Sequence, residues 1–395
     1  MNKSLKSNVW KFYVIATLGM HFIAPIRILY LISFSLSFAQ IGMMELAAAI
    51  VIVFLEIPSG IFADFVGRKA SRMVAYVLSI IAFTCLSFGS SAPVFIFGWA
   101  LSGAADAFES GANDALIFDT LKELGREKEY LKLKSHFLLI RTIAVIFGSI
   151  VGAWLYTFDH RLPWYLITVS IILSTIIFST IKEPTKLLKY KKLGDQLKEF
   201  KQSLVLSLSS VDVRRLIILG LILALPMYIF TTLLNQPYLI SRGFSIQSLG
   251  LVFAFITGIS GFVASFSHKI ENKLKKRLSF LLIFISFTVF LILMGAVNNY
   301  LILAIVIGFY IVNNYKDIII DSYINQSIDS ESRATVLSVQ SFVKNIFISI
   351  LFVFIGYLVD IFSIDVVLIS MGIIIGITCI PFLTISNRIR TVKLN

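Results

Sequence analysis

Apolar runs of about twenty residues recur along the whole chain, and no other feature constrains its fold as strongly. A helix needs about 20 residues to cross the ~30 Å hydrocarbon core of a bilayer. Runs of that kind are read at 9–35, 40–63, 72–90, 93–118, 136–157, 163–181, 214–238, 246–268, 278–297, 300–324, 334–358 and 365–385. Charged residues make up 14% of the 395, where a soluble domain carries about 25%. Lipid must therefore solvate most of this surface. The only backbone that satisfies its own hydrogen bonds inside each such segment is a helix. The expectation is an all-α membrane protein of about twelve transmembrane helices. The run at 9–35 follows Lys3, Lys6 and Lys11; it is too long for the apolar region of a signal peptide and is read as a retained helix.

The placement of charge supports this reading. The net charge is +13, which in a soluble protein would raise nucleic acid as a partner. With a cytoplasmic N-terminus, only Arg161 and Arg242 fall in outer loops, and only Arg27, Arg141, Lys316 and Lys344 fall inside spans. The remaining basic residues lie on the cytoplasmic side, as the positive-inside rule requires. Both termini are then cytoplasmic, in an inner or cytoplasmic membrane, and no nucleic acid is implied. Trp154 and Trp164 flank an outer loop as interfacial anchors. Cys85 and Cys379 lie in apolar runs and form no disulfide framework or metal spacing. There is no G-x-x-x-x-G-K-[ST] and no H-E-x-x-H, so neither an ATP site nor a zinc-protease site is read. No enzyme and no cofactor are expected.

The longest polar stretch, Lys182 to Arg215, divides the runs into six and six. Three units follow: a six-helix bundle at 1–181, a cytoplasmic linker at 182–213, and a second six-helix bundle at 214–395. An offset of 208 residues aligns Gly42 with Gly250, Asp64 with Asn272, Arg68-Lys69 with Lys276-Arg277, and Glu109 with Asp317. Two related halves with a site between them are a common transporter plan.

The sharpest motif is Gly60-Ile-Phe-Ala-Asp64-Phe-Val-Gly67-Arg68-Lys69, on the cytoplasmic turn after the second run. Gly67 permits a tight turn. Asp64 can accept at a helix N-terminus and pair with a cation. Arg68 can fork onto a neighbouring acid, Asp114 or Asp119. Lys69 and Arg72 are read as ordinary basic loop residues. Glu56-Ile57-Pro58 lies just upstream; Pro58 lacks an amide hydrogen and would kink the span.

At these residues the chain resembles the major facilitator superfamily, over essentially its whole length. The upstream Glu-x-Pro variant is similar to that of drug/proton antiporters of the P-type tetracycline-efflux kind. The resemblance implies the major facilitator fold: two pseudo-symmetric six-helix bundles around a central cavity, worked by alternating access. It implies that Gly60, Asp64, Gly67, Arg68 and Lys69, with Asp114, form a conformational latch.

Ionisable residues inside spans are functional candidates, because a bare charge facing lipid is costly. Arg27, Glu56, Asp106, Glu109 and Asp317 are the candidate proton-coupling network. Asp106, Glu109 and Asn113 share one helical face by spacing. Arg27 is expected to pair with Asp106 or Glu109, and Glu109 is the first choice as proton carrier. Arg141 is read as a static partner of a cytoplasmic-side acid. Tyr30, Trp99, Phe108, Asn113 and Asn314 are candidates for a cargo pocket, while Gly148 and Gly152 give a small-residue packing surface. The expected activity is proton-coupled export of a small amphiphilic compound by a monomer in contact with lipid. The alternatives are import of a small anionic nutrient, with Arg27 and Lys316 holding it, and a non-transporting receptor.

Overall fold

The structure is a computed structural model that describes residues 3–110, 112–184, 211–326 and 333–386. Most of the expected linker therefore lies outside the described residues. Among those described, every regular element is helical. Among the described residues, nine helices are long and apolar enough to cross a membrane. The twelfth expected run forms Ile364–Ser386, whose described apolar stretch, Ile364–Thr378, is shorter.

In the first half of the chain, two expected spans are not single helices. The first run is α1 (Lys3–Leu18) and a short α2 (Arg27–Ser33), separated by eight residues that contain Pro25. Proline withholds an amide hydrogen and biases the residue before it away from helix. The fourth run is α5 (Ala92–Glu109) and α6 (Ala112–Glu123). Ser110, in a non-helical conformation, closes α5. Between them run α3 (Phe38–Phe65) and α4 (Arg68–Phe88); α7 (Tyr130–Tyr156) and α8 (Leu162–Ser179) follow. A capping box starts α3: the Ser37 hydroxyl accepts from the Gln40 amide at 3.2 Å, and the Ser37 amide donates to the Gln40 side chain at 3.0 Å.

The chain divides into two compact units, Met1–Lys198 with Ser245–Leu251, and Glu199–Phe244 with Val252–Asn395. In the first, α5 packs on α3 and α4, and α8 packs on α4 and α1. A core at the signature-loop end gathers Phe12, Tyr76, Leu116, Leu121, Leu133 and Phe178. The break in α1–α2 lies against α7, where Gly148 and Gly152 admit the backbone of His21 and Phe22. Those two glycines thus accommodate an irregular strand of backbone rather than a neighbouring helix.

The second unit holds α9 (Val211–Ile229), a π-helical turn at Phe230–Leu234, α10 (Asn235–Ser241), the part of α11 (Ile246–Ala264) that follows Leu251, α12 (Ser267–Ala296), α13 (Ile302–Gln326), α14 (Arg333–Ile361) and α15 (Ile364–Ser386). The 208-residue offset recurs in its geometry. Shifting α2 by 208 gives the bounds of α10, shifting the start of α3 gives the start of α11, and shifting the end of α4 gives the end of α12. Ser35 and Gly243, also 208 apart, both have positive φ, 60° and 86°. The side chains of Asn272, Lys276 and Arg277 lie outside the described residues.

Candidate functional site

The signature loop is built on a helix start. Gly67, at φ 142°, precedes α4, in backbone space that essentially only glycine enters. A Cβ there would lie 2.6 Å from a carboxylate oxygen of Glu183. That carboxylate accepts from the Lys69 amide at 3.3 Å and so occupies the positive end of α4. The sequence assigned this role to Asp64, which is exposed; the carboxylate found at the helix start is that of Glu183, from the Glu-Pro step after α8. Lys69 is also more than a loop charge, since its ammonium donates to the Ser179 carbonyl at 2.8 Å. Arg68 pairs with Asp119. Asp114, the other expected partner, instead binds Lys134 at 2.6 Å, because the break before α6 resets which residues face α4. No atom lies within 4 Å of a Cβ built on Gly60.

One turn into α4 lies Arg72, which pairs with Glu109 and covers the Tyr76 ring at 4.6 Å. Arg72 is only 9% exposed, so the reading of it as an ordinary basic loop residue is corrected. Glu109 is the last residue of α5 rather than the middle of a continuous span. The end of α5 is tied down by two hydroxyls: Ser59 of α3 donates to the Ala107 carbonyl and Ser71 of α4 to the Phe108 carbonyl, both at 2.8 Å. Asp106 sits one turn earlier; its carbonyl accepts from the Ser110 amide at 2.9 Å, while its carboxylate has neither a hydrogen bond nor an ion pair among the described residues. The helix stops between Glu109 and Asn113, so the expected continuous face through Asp106, Glu109 and Asn113 is interrupted. Phe108 packs edge-on against Phe62.

The expected pairing of Arg27 is also corrected. Its guanidinium binds Glu45 of α3 at 2.6 Å and lies 4.7 Å over the Trp99 ring. The reason is register: Arg27 opens α2 beyond the break, beside the first third of α3, whereas Asp106 and Glu109 close α5 at the other end. Glu45 was missed, although it is an ionisable residue in an apolar run and meets the same criterion as Glu56. Glu56 and Pro58 are exposed on α3. Arg141 is exposed and stands near His21.

Tyr30 is not a pocket residue. It is fully buried and its hydroxyl donates to the Leu86 carbonyl at 2.7 Å. Trp164 is likewise buried, its ring tilted against that of Tyr30 with centroids 4.7 Å apart, so it is core and not an interfacial anchor; Trp154 is exposed.

In the second unit, Lys316 is 2% exposed. Its ammonium donates to Asn313 at 2.8 Å and pairs with Asp317 at 3.0 Å. The Asn313 amide closes the triangle by donating to Asp317 at 3.1 Å. The polar partner is thus Asn313, while Asn314 is half-buried beside it. Glu271 accepts from the hydroxyls of Ser279, Tyr315 and Tyr323.

A helical membrane protein with ion pairs buried among its spans and a salt-bridged turn after the third helix belongs to the class of polytopic transporters. The sequence profile of the Major Facilitator Superfamily matches residues 10–351, and the chain belongs to that family. It is a multi-pass membrane transporter of small molecules, not an enzyme, in a family that works without a cofactor. It is 31% identical over 277 residues to the uncharacterized MFS-type transporter YxaM of Bacillus subtilis (strain 168), covering 68% of this chain and 67% of that one. Its fold is similar to that of the nucleoside transporter NupG, with TM-score 0.73 and 12% identity over 97% of this chain and 99% of that one. It is similar also to a bacterial homolog of the human lysosomal transporter Spinster, inward-facing and unoccupied, with TM-score 0.71 and 13% identity over 98% of each chain. An auto-inhibited POT family peptide transporter matches with TM-score 0.70 and 13% identity, over 98% of this chain and 97% of that one.

Proposed function

We propose that this transporter is a proton-coupled exporter of small amphiphilic compounds, with the Glu-x-Pro loop variant of the tetracycline-efflux type. The observation that carries the reading is the shared cation at the end of α5. Asp106 and Glu109 lie one turn apart, and among the described residues Arg72 pairs with the second and not the first. Two carboxylates against one guanidinium balance when one proton is bound. Movement of α4 against α5 would remove the cation and make the proton the only means of neutralising the pair, which ties ionisation to conformation. The latch ties the same helix, α4, to α6 through Arg68 and Asp119, and to the segment after α8 through Glu183. Arg27 with Glu45, Glu56, and Asp317 with Lys316 complete the charge network. Trp99, Phe108 and Asn113 are the first unit's cargo contacts, and Asn314 is the second's.

In this reading the protein works as a monomer in the cytoplasmic membrane, with both termini inside. Bundles 1–181 and 214–395 are joined by the linker 182–213. Arg27 and Lys316 already hold carboxylates, which weighs against an importer that would use them for an anionic cargo. The test is transport of a cationic amphiphilic dye into inverted membrane vesicles under an imposed proton gradient. Glu109→Gln is expected to abolish gradient-driven accumulation while leaving dye binding intact. Undiminished accumulation removes Glu109 from the mechanism.

A further inference from the structure

We infer that Tyr30 is a positioning residue: by pinning the seven-residue helix α2 to the end of α4, it holds Arg27 on Glu45 and Trp99. The inference deepens the reading above, in which Arg27 belongs to the charge network. A helix of seven residues cannot sustain itself, since nucleation consumes most of what its few hydrogen bonds return. α2 is irregular on both sides, with the non-helical stretch before it and Ser35 at positive φ after it. Its place must come from tertiary contacts, and the Tyr30 hydroxyl supplies a directed one, to the Leu86 carbonyl at 2.7 Å. The ring is clamped by Trp164, Phe34 and Phe95. The acceptor is steadied in turn: Arg161 donates to the last carbonyls of α4, those of Ser87, Phe88 and Gly89, each at 3.3 Å, where a cation complements the helix dipole. Arg27 lies three residues before Tyr30, on the neighbouring turn of the same face.

The second unit repeats the arrangement. Its seven-residue helix α10 follows a π-helical turn and precedes Gly243 at positive φ. Tyr238, fully buried, donates to the Met294 carbonyl at 2.6 Å. Arg242 donates to that same carbonyl at 3.2 Å and pairs with Asp365. Donor and acceptor are both displaced by 208 residues from Tyr30 and Leu86. Arg161 and Arg242, which the charge pattern set apart as the two outer-loop cations, thus do the same work from different places in the sequence.

The experiment uses the full chain in lipid nanodiscs, with neither cargo nor proton gradient, so its failure and the failure of the transport reading are separate events. Amide exchange is followed in 27–33 and 235–241 for Tyr30→Phe and Tyr238→Phe. Each variant is expected to speed exchange roughly fivefold in its own helix only, the effect of losing one buried hydrogen bond. The Trp99 emission, isolated by difference from Trp99→Phe, reports the guanidinium over the ring. Arg27→Gln defines the uncovered ring; Tyr30→Phe is expected to move the emission toward that spectrum, and Tyr238→Phe to leave it unchanged. If Tyr30→Phe does not yield folded protein, Arg161→Gln, which loosens the same end of α4, is expected to shift both readings in the same direction. Wild-type exchange in 27–33, or faster exchange with unaltered Trp99 emission, overturns the inference.

Discussion

Arg72 and Glu109 show how a residue's role depends on where its helix stops. Both were visible as ionisable groups, but their pairing follows from the end of α5 at Glu109 and the start of α4 just before Arg68. Arg72→Ala leaves Glu109 beside Asp106 without its cation. Removing one partner of a fully buried pair costs about 3–5 kcal/mol. Glu109 is 44% exposed, so screening reduces the expected loss to roughly 1–2 kcal/mol, read as a lower melting temperature in detergent. Gly67 supports a sharper test. Gly67→Ala is strained by its backbone angle and also meets the Glu183 carboxylate at 2.6 Å; the backbone contribution alone is of order 1–3 kcal/mol. Adding Glu183→Ala should recover the steric part and not the backbone part, so the double variant should melt between Gly67→Ala and wild type. Full recovery would show that the angle at Gly67 carries no cost. At this scale Glu45 was legible by the criterion applied to its neighbours. The role of Glu183 was not, because it sits more than a hundred residues from the helix it caps.

Among the elements, the breaks in the first and fourth runs are what run length concealed. Pro25 marks the first, and Ser110-Gly111 mark the second by composition, yet the apolar content on both sides reads as one continuous span. The consequence for the first run is a length of irregular backbone lying on α7. Gly152 is where it comes nearest, and a Cβ there would collide with the Phe22 carbonyl. Gly152→Leu should therefore displace the segment that leads to α2. Overpacking of this kind costs typically 1–3 kcal/mol. The expected outcome is a poorly folded protein, seen as loss of the monodisperse peak in fluorescence-detected size exclusion. Gly60→Leu, where no atom lies within 4 Å, should leave that peak unchanged. The pair of outcomes separates crowding from a general intolerance of bulk on these helices.

For the molecule as a whole, the fold was legible because lipid leaves so few options for an uninterrupted apolar run. The cargo was not, because recognition is set by a few side chains whose partners come from distant segments. A cargo that binds only the folded protein stabilises it by about 2.7 kcal/mol at a hundredfold excess over Kd. A panel of amphiphilic compounds is therefore expected to contain members that raise the melting temperature, and Glu109→Gln should retain that response while losing gradient-driven transport. The 208-residue correspondence has one further consequence. Of five residues in the first half's charge network, Arg27, Glu45, Arg72 and Asp106 have as equivalents Asn235, Phe253, Phe280 and Asn314, and of the five only Glu109 meets an ionisable residue, Asp317. If a duplicated ancestor supplied both halves, they inherited the same bends and backbone ties but not the same ionic chemistry, and descendants of this chain are freer to exchange charged groups within the helices than to lose a tyrosine at either inherited joint.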